Sequence, residues 1–195
     1  EHQRKHNKDY YYDLRSFHNL TGLEAAARFI YLNRTCFNGL YRVNPKGEFN
    51  VPVGRYQNPK ICNPDLLYAV SESLQDVEIA ERSFDTVLDY AKSSEDFVYF
   101  DPPYYPLSNT SEFTGYTRNS FGKEDQIQLK EVFAKLADRG VKVMLSNSDC
   151  EFIRELYEDF NIDKILAARY INCNANKRGT ISEVLVSVSG NKVLF

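Results

Sequence analysis

The sequence predicts an α/β fold that carries a small domain of helices and a β-hairpin, and three observations carry that expectation. From residue 97 onward, short apolar runs alternate with helical periodicities and the chain closes on a pair of strands, the pattern of an α/β sheet. Phe97 to Phe100 is a run of apolar and aromatic residues that stops at Asp101-Pro102-Pro103-Tyr104. Residues 35–59, in contrast, are punctuated by glycine, asparagine and proline, as a hairpin or extended loop would be. The 195 residues suffice for one good core and an appendage. We divide them into a smaller domain over 1–75 and the sheet domain over 76–195.

Residues 1–19 are polar with a tyrosine cluster, Tyr10, Tyr11 and Tyr12. Thr21 with Glu24 has the spacing of a capping box, and Leu23, Ala26, Ala27, Ile30 and Tyr31 follow at helical spacing. The hairpin's turn is expected near Pro45–Gly47. Pro64 opens a helix to about Leu74, Val77–Ala80 reads as a short strand, and Ser83 can cap a helix running to about Lys92. Phe97–Phe100 reads as a buried strand. Residues 105–122 lack a period and read as a lid or binding loop, whose Phe113, Tyr116 and Phe121 either close over a ligand or anchor the loop to the core. Lys123–Arg139 is a helix burying Ile127, Val132, Phe133 and Leu136, with Gly140 as its stop. Val141–Leu145 is a buried strand, Cys150–Glu158 a helix, and Ile162–Ile171 and Thr180–Val188 a final strand pair joined by the basic loop Asn172–Gly179.

Composition narrows the function. Cys36, Cys62, Cys150 and Cys173 form no metal-type pair and read as free thiols of a reducing cytoplasm. His2, His6 and His18 suggest neither a metal site nor a triad, and no apolar run is long enough to span a membrane. The net charge of −3 hides a polarised distribution. Residues 28–60 hold six bases against the single acid Glu48, Lys164, Arg169, Lys177 and Arg178 face no acid over 164–178, and 65–96 is acidic. The hairpin carries Arg34, Arg42, Arg55, Asn38, Asn50, Phe37, Tyr41 and Tyr56, and arginine and asparagine are the main readers of guanine and adenine edges.

The turn after Phe100 suits one difficult reaction. Pro102 and Pro103 cannot extend a central strand, so an acid and an aromatic ring are presented where a parallel sheet binds its ligands. The exocyclic amine of adenine is a poor nucleophile because its lone pair is delocalised. The Asp101 carboxylate and the Pro102 carbonyl can each accept one of its N–H bonds while Tyr104 stacks on the base. Positioning and electrostatic stabilisation then do most of the work. A base inside a duplex would first have to be flipped out. An ordinary strand-ending turn is the plainer reading of the same residues.

With turn and hairpin together, the chain resembles the Dam-type (D12 class) DNA adenine-N6 methyltransferases over nearly its whole length. The matching residues are Leu32-Asn33-Arg34, Phe37-Asn38-Gly39-Leu40-Tyr41-Arg42, the run Gly47 to Tyr56, Phe113-Thr114, Ser120-Phe121, Leu145-Ser146-Asn147-Ser148 and Ile181 to Val186. The resemblance implies a Rossmann-like S-adenosylmethionine-dependent sheet with a recognition domain for GATC in double-stranded DNA. It further implies that Asp101, Pro102, Pro103 and Tyr104 are catalytic and that Asp101 also meets S-adenosyl-L-methionine. Phe37 becomes the aromatic wedge beside the flipped adenine and Asn38 its neighbour. Leu40 and Arg42 read the site, with Arg42 on a guanine, and Pro52 meets a thymine methyl. Arg34 and Arg55 hold phosphates.

The chain departs from the family pattern at one point. The family's lysine-containing glycine-rich segment and its following glycine loop, which hold the cofactor, have no counterpart, and no two of the nine glycines lie close enough to form that loop. The expectation is a chain lacking the first part of the catalytic domain, inactive alone and completed by that missing half. Such a sheet would expose an edge. The setting would be the cytoplasm of a bacterial or phage-infected cell, in restriction-modification or otherwise. The alternative reading is a non-catalytic, sequence-specific DNA-binding module. Methylation of a protein glutamine, which uses Asn in place of Asp101, is disfavoured by Asp101 and the hairpin.

Overall fold

The computed structural model describes residues 1–107, 121–168 and 180–188. Phe113, Tyr116, Arg169, Lys177, Arg178, Cys173 and the loop Asn172–Gly179 lie outside the described residues. The chain divides into two compact units, Glu1–Ala80 and Glu81–Phe195, each with its own core.

In the first unit, helices α1 (His2–Lys5), α2 (Lys8–Ser16) and α3 (Gly22–Thr35) precede the hairpin region, and α4 (Pro64–Ser73) follows it. Asn7 caps α2 by accepting the Tyr10 amide. The tyrosine cluster is structural: Tyr11 and Tyr31 are fully buried, and the Tyr11 hydroxyl donates to the Val51 carbonyl at 3.0 Å. Arg28 on α3 donates to the carbonyls of Leu14 and Arg15, so it closes the C-terminal end of α2. Leu14, Leu32, Cys36, Phe49, Val51 and Ile61 complete this core. Thr21 stands at the N-cap of α3, but its hydroxyl makes no capping bond, so the expected capping box does not form.

The hairpin is looser than its sequence predicts. Two antiparallel bridges, Cys36↔Val53 and Val43↔Phe49, hold it in place of regular strands, with a turn at Pro45–Gly47. Its base is tight. The Gly54 amide donates to the Thr35 carbonyl at 2.7 Å, and a Cβ on Gly54 would lie 2.8 Å from the Cys36 carbonyl oxygen and 2.3 Å from the Tyr56 ring. The ring can swing aside, but the carbonyl belongs to the bridged backbone. Gly54→Val should therefore destabilise this unit by about 1–3 kcal/mol, read as a lower midpoint of urea unfolding.

The second unit is a mixed sheet packed against helices. The short helix α5 (Val87–Tyr90) precedes strand β1 (Phe97–Phe100), α6 (Lys123–Asp138) crosses to β2 (Lys142–Ser148), and α7 (Glu151–Leu156) leads to β3 (Asn161–Ala168) and β4 (Thr180–Ser187). The strand order is β1-β2-β4-β3, with β1 parallel to β2 and the remaining pairs antiparallel. A parallel pair needs a crossover, and α6 supplies it. Leu129, Val132, Phe133 and Leu136 of α6 pack in one cluster with Phe100, Val143, Leu145, Val184 and Val186 from the sheet.

Four expectations change, three in this unit and one at the end of the first. β1 is the outer strand among the described residues, so it alternates instead of being buried: Phe97 and Tyr99 are 60% and 52% exposed, while Phe100 faces the core. Ile127 is exposed, and Gln126 and Leu129 take its place on the inner face of α6. Val77–Ala80 lies in the first unit as irregular backbone with Val77 and Ile79 exposed, because no strand pairs with it. Ser83 starts only a 3₁₀ turn, Phe84–Thr86, ahead of α5. No helix of the described residues is long and apolar enough to cross a membrane.

One buried group is out of balance. The Tyr157 ring packs on Phe133 and Phe160, but its hydroxyl has no hydrogen-bond partner among the described residues, and burial pushes its pKa well up. Tyr157→Phe removes an unsatisfied polar atom and keeps the packing. It should raise stability by about 1 kcal/mol; a fall in the thermal midpoint would show that the hydroxyl is paired.

Candidate functional site

β1 ends at the sheet edge where its parallel neighbour β2 also ends, and Asp101 is the first residue beyond it. Its carboxylate is exposed and accepts a hydrogen bond at Oδ1 from the Ser146 hydroxyl at 3.1 Å. Ser146 lies on β2 and accepts in turn from the Tyr99 hydroxyl at 2.9 Å. This short chain of hydroxyls orients one carboxylate oxygen, and Oδ2 has no hydrogen-bond partner among the described residues. The Pro102 carbonyl has no hydrogen-bond partner among the described residues.

Tyr104, 36% exposed, donates its hydroxyl to Glu183 Oε2 on β4 at 3.3 Å. Burial, together with the neighbouring Glu183 and Asp101 carboxylates, pushes the Tyr104 pKa up, which keeps the phenol protonated as the donor. The turn is also held from beneath. The Pro103 carbonyl accepts from Gln126 Nε2 at 2.9 Å, and the Tyr105 amide donates to Asn147 Oδ1 at 3.0 Å. The expected acid, carbonyl and ring thus stand at one sheet edge. Phe121, expected either to close over a ligand or to anchor its loop, packs edge-on against Phe84 at 5.8 Å.

The first unit presents a second set of residues. Arg34 is exposed in the last turn of α3. Phe37 follows it, 46% exposed, with its amide donating to the Pro52 carbonyl at 2.8 Å, so Phe37 and Pro52 are held side by side. Asn38 and Gly39 both take positive φ, 55° and 62°, which turns the chain sharply after the Phe37 ring. Leu40 is half-buried, and Arg42, Pro52 and Arg55 are exposed. Asn50 accepts from Arg42 Nε at 2.7 Å and so fixes the plane of the guanidinium, whose Nη1 has no partner among the described residues. Neither Arg34, Arg42 nor Arg55 is in an ion pair among the described residues.

A basic, asparagine-bearing loop and an Asp-Pro-Pro-Tyr turn at a sheet edge can be compared directly with known proteins. The sequence model of the D12 class N6 adenine-specific DNA methyltransferases matches residues 1–171. The chain belongs to this family. It is 48% identical to the type II methyltransferase M1.LlaDCHI of Lactococcus lactis subsp. cremoris over 97% of its own length and 69% of that protein's. It is 50% identical to the type II methyltransferase M.MjaIII of Methanocaldococcus jannaschii, over 88% of this chain and 61% of the relative. Against the DNA adenine methylase of Serratia marcescens the identity is 39%, covering 92% and 67%. The chain thus spans roughly two thirds of the length of these relatives.

S-adenosyl-L-methionine is the methyl donor of the D12 class, and the exocyclic N6 of adenine in DNA is its acceptor. The Asp101–Tyr105 turn lies in the second unit and the Arg34–Arg55 set in the first. Three residues that hold this turn have no role in the sequence analysis, although Asn147 and Glu183 lie within its matching runs. Gln126, Asn147 and Glu183 each hold the turn from a distant element. A polar residue at the head of the buried stripe Gln126, Leu129, Phe133, Leu136 was the available signal for Gln126.

Proposed function

We propose that this chain carries the catalytic turn and the recognition loop of an adenine-N6 methyltransferase acting on GATC in double-stranded DNA. The observation that carries this reading is the exposed Asp101 carboxylate beside a Pro102 carbonyl that has no partner among the described residues, at the end of β1. Each is an acceptor for one N–H of the adenine amine, and together they draw the nitrogen toward tetrahedral geometry. Tyr104 offers its ring face to the flipped base. Ser146 keeps the carboxylate turned so that Oδ2 remains available.

S-adenosylmethionine supplies a methyl group on a sulfonium centre. An exposed carboxylate at a strand end suits its positive charges, and Asp101 would hold it on that ground. The remaining contacts to it are assigned to a further segment of the same enzyme, because the sequence has no closely spaced glycines for the cofactor loop. We infer the cytoplasm of a bacterial or phage-infected cell as its setting, on the ground that its substrate is DNA.

In the first unit, Arg42 reads a guanine, Leu40 and Pro52 supply apolar contact, and Phe37 enters the step beside the flipped adenine with Asn38 next to it. Arg34 and Arg55 hold phosphates. The test is binding to a short GATC duplex and to one with those four bases scrambled, across a salt series. The expected result is at least a tenfold preference for GATC, with affinity falling steeply as salt rises. Equal binding to both duplexes would overturn the GATC assignment.

A further inference from the structure

The catalytic turn cannot brace itself. Pro102, Pro103 and Pro106 carry no N–H, so between residues 101 and 106 only Asp101, Tyr104 and Tyr105 have a backbone donor. The turn is braced instead by side chains from α6 and β2. Gln126 and Asn147 are both completely buried. Gln126 Nε2 donates to the Pro103 carbonyl at 2.9 Å, and its Oε1 accepts from Asn147 Nδ2 at 3.0 Å. Asn147 Oδ1 accepts from the Tyr105 amide at 3.0 Å and from the Ser148 amide at 2.8 Å. The Ser148 hydroxyl donates to the Tyr105 carbonyl at 2.6 Å.

The backbone is therefore gripped on both sides of Tyr104, and each bond has a fixed direction. One end of the Gln126 amide must donate and the other must accept. Two apolar side chains would fill this space without the cost of burying two amides, yet the amides are there and their contacts to the turn and to each other are made.

We propose that Gln126 and Asn147 are positioning residues of the methyltransferase turn: their amide pair sets where the Pro102 carbonyl and the Tyr104 ring face. This rests on the functional reading above. Catalysis by positioning depends on such placement, and a small displacement of an acceptor costs rate without costing DNA affinity.

The test replaces Gln126 by methionine, which keeps length and volume and removes both polar ends. Leu136→Ala, on the same buried face of α6 with no polar group to offer the turn, serves as the control for lost stability. Hydrogen exchange at the Tyr105 amide is read first. It should speed up at least tenfold in Gln126→Met relative to Leu136→Ala at matched stability. Equal exchange in the two variants overturns the proposal whatever the enzyme's activity.

Methyl transfer to a GATC duplex, with the proposed cofactor-binding segment supplied to every variant and to the wild type, is read second. Gln126→Met should lower kcat at least tenfold, with KM for DNA within about twofold of wild type. The rate per folded molecule of Leu136→Ala should stay near wild type. A looser turn with unchanged kcat also overturns the proposal. Failure of the wild-type enzyme to methylate GATC would instead sink the functional reading, and the exchange result would still decide whether the amide pair holds the turn.

Discussion

Asp101→Ala should lower single-turnover methyl transfer on the order of 10²–10³-fold, about 3–4 kcal/mol, the scale seen when one preorganised group that meets developing charge is removed. The carboxylate is proposed to accept an N–H of the adenine amine as positive charge grows on that nitrogen, and alanine has nothing to put there. Stability should hardly change. Asp101 is exposed, and among the described residues its loss costs one bond, that from Ser146, whose hydroxyl still accepts from Tyr99. Binding to GATC should also stay near wild type, because the proposed readers belong to residues 34–55. Asp101→Asn separates charge from shape: it keeps one acceptor and should fall between alanine and wild type. Full activity in Asp101→Ala would remove this residue from the chemistry.

Arg42→Ala should relax discrimination at one base pair of the site by about 1–3 kcal/mol, a factor of roughly ten to a hundred. The guanidinium is exposed and in no ion pair among the described residues, and its plane is set by the 2.7 Å bond from Nε to Asn50. Nη1 and Nη2 then form the edge that can meet guanine O6 and N7. The signature is selective. Each single-base variant of GATC is measured, and only one position should lose its preference. Arg34→Ala and Arg55→Ala should behave differently, weakening all duplexes alike and reducing the salt slope by about one each. An unchanged preference in Arg42→Ala would place the reader elsewhere on the loop.

The legible parts of the sequence were those governed by local rules. α6 begins at Lys123 as its periodicity predicts, and Gly140, at φ 78°, follows its end. The Asp-Pro-Pro turn leaves the sheet at Asp101 because proline cannot continue the ladder. β2, β3 and β4 fall within a few residues of their apolar runs.

What escaped depended on partners that the sequence does not display. Four apolar residues look the same in a central strand and in an outer one, so the run predicts a buried strand although Phe97 and Tyr99 are exposed. Val77 and Ile79 alternate correctly, but alternation makes no strand without a neighbour to bond.

The site divided along the same line. Asp101, Pro102 and Tyr104 stand together because they are adjacent in the chain, and Phe37 and Pro52 because the hairpin joins them. Gln126, Asn147 and Glu183 reach the turn across 23, 42 and 79 residues of sequence. Counting only apolar residues put Ile127 on the inner face of α6, where the buried residue is Gln126. A glutamine at i, with Leu129, Phe133 and Leu136 at i+3, i+7 and i+10, is the mark of a polar group that the core has been built to satisfy.

The central claim, that this turn and this loop belong to one adenine-N6 methyltransferase, is tested most directly by transfer of a labelled methyl group from S-adenosylmethionine. The acceptors are a GATC duplex and its scrambled counterpart, offered to the chain alone and to the chain supplemented with the proposed cofactor-binding segment. The account predicts label on adenine N6 in GATC only, and only with the segment present. No label in either arm, with GATC binding retained, would contradict it and leave a sequence-specific DNA-binding module in its place.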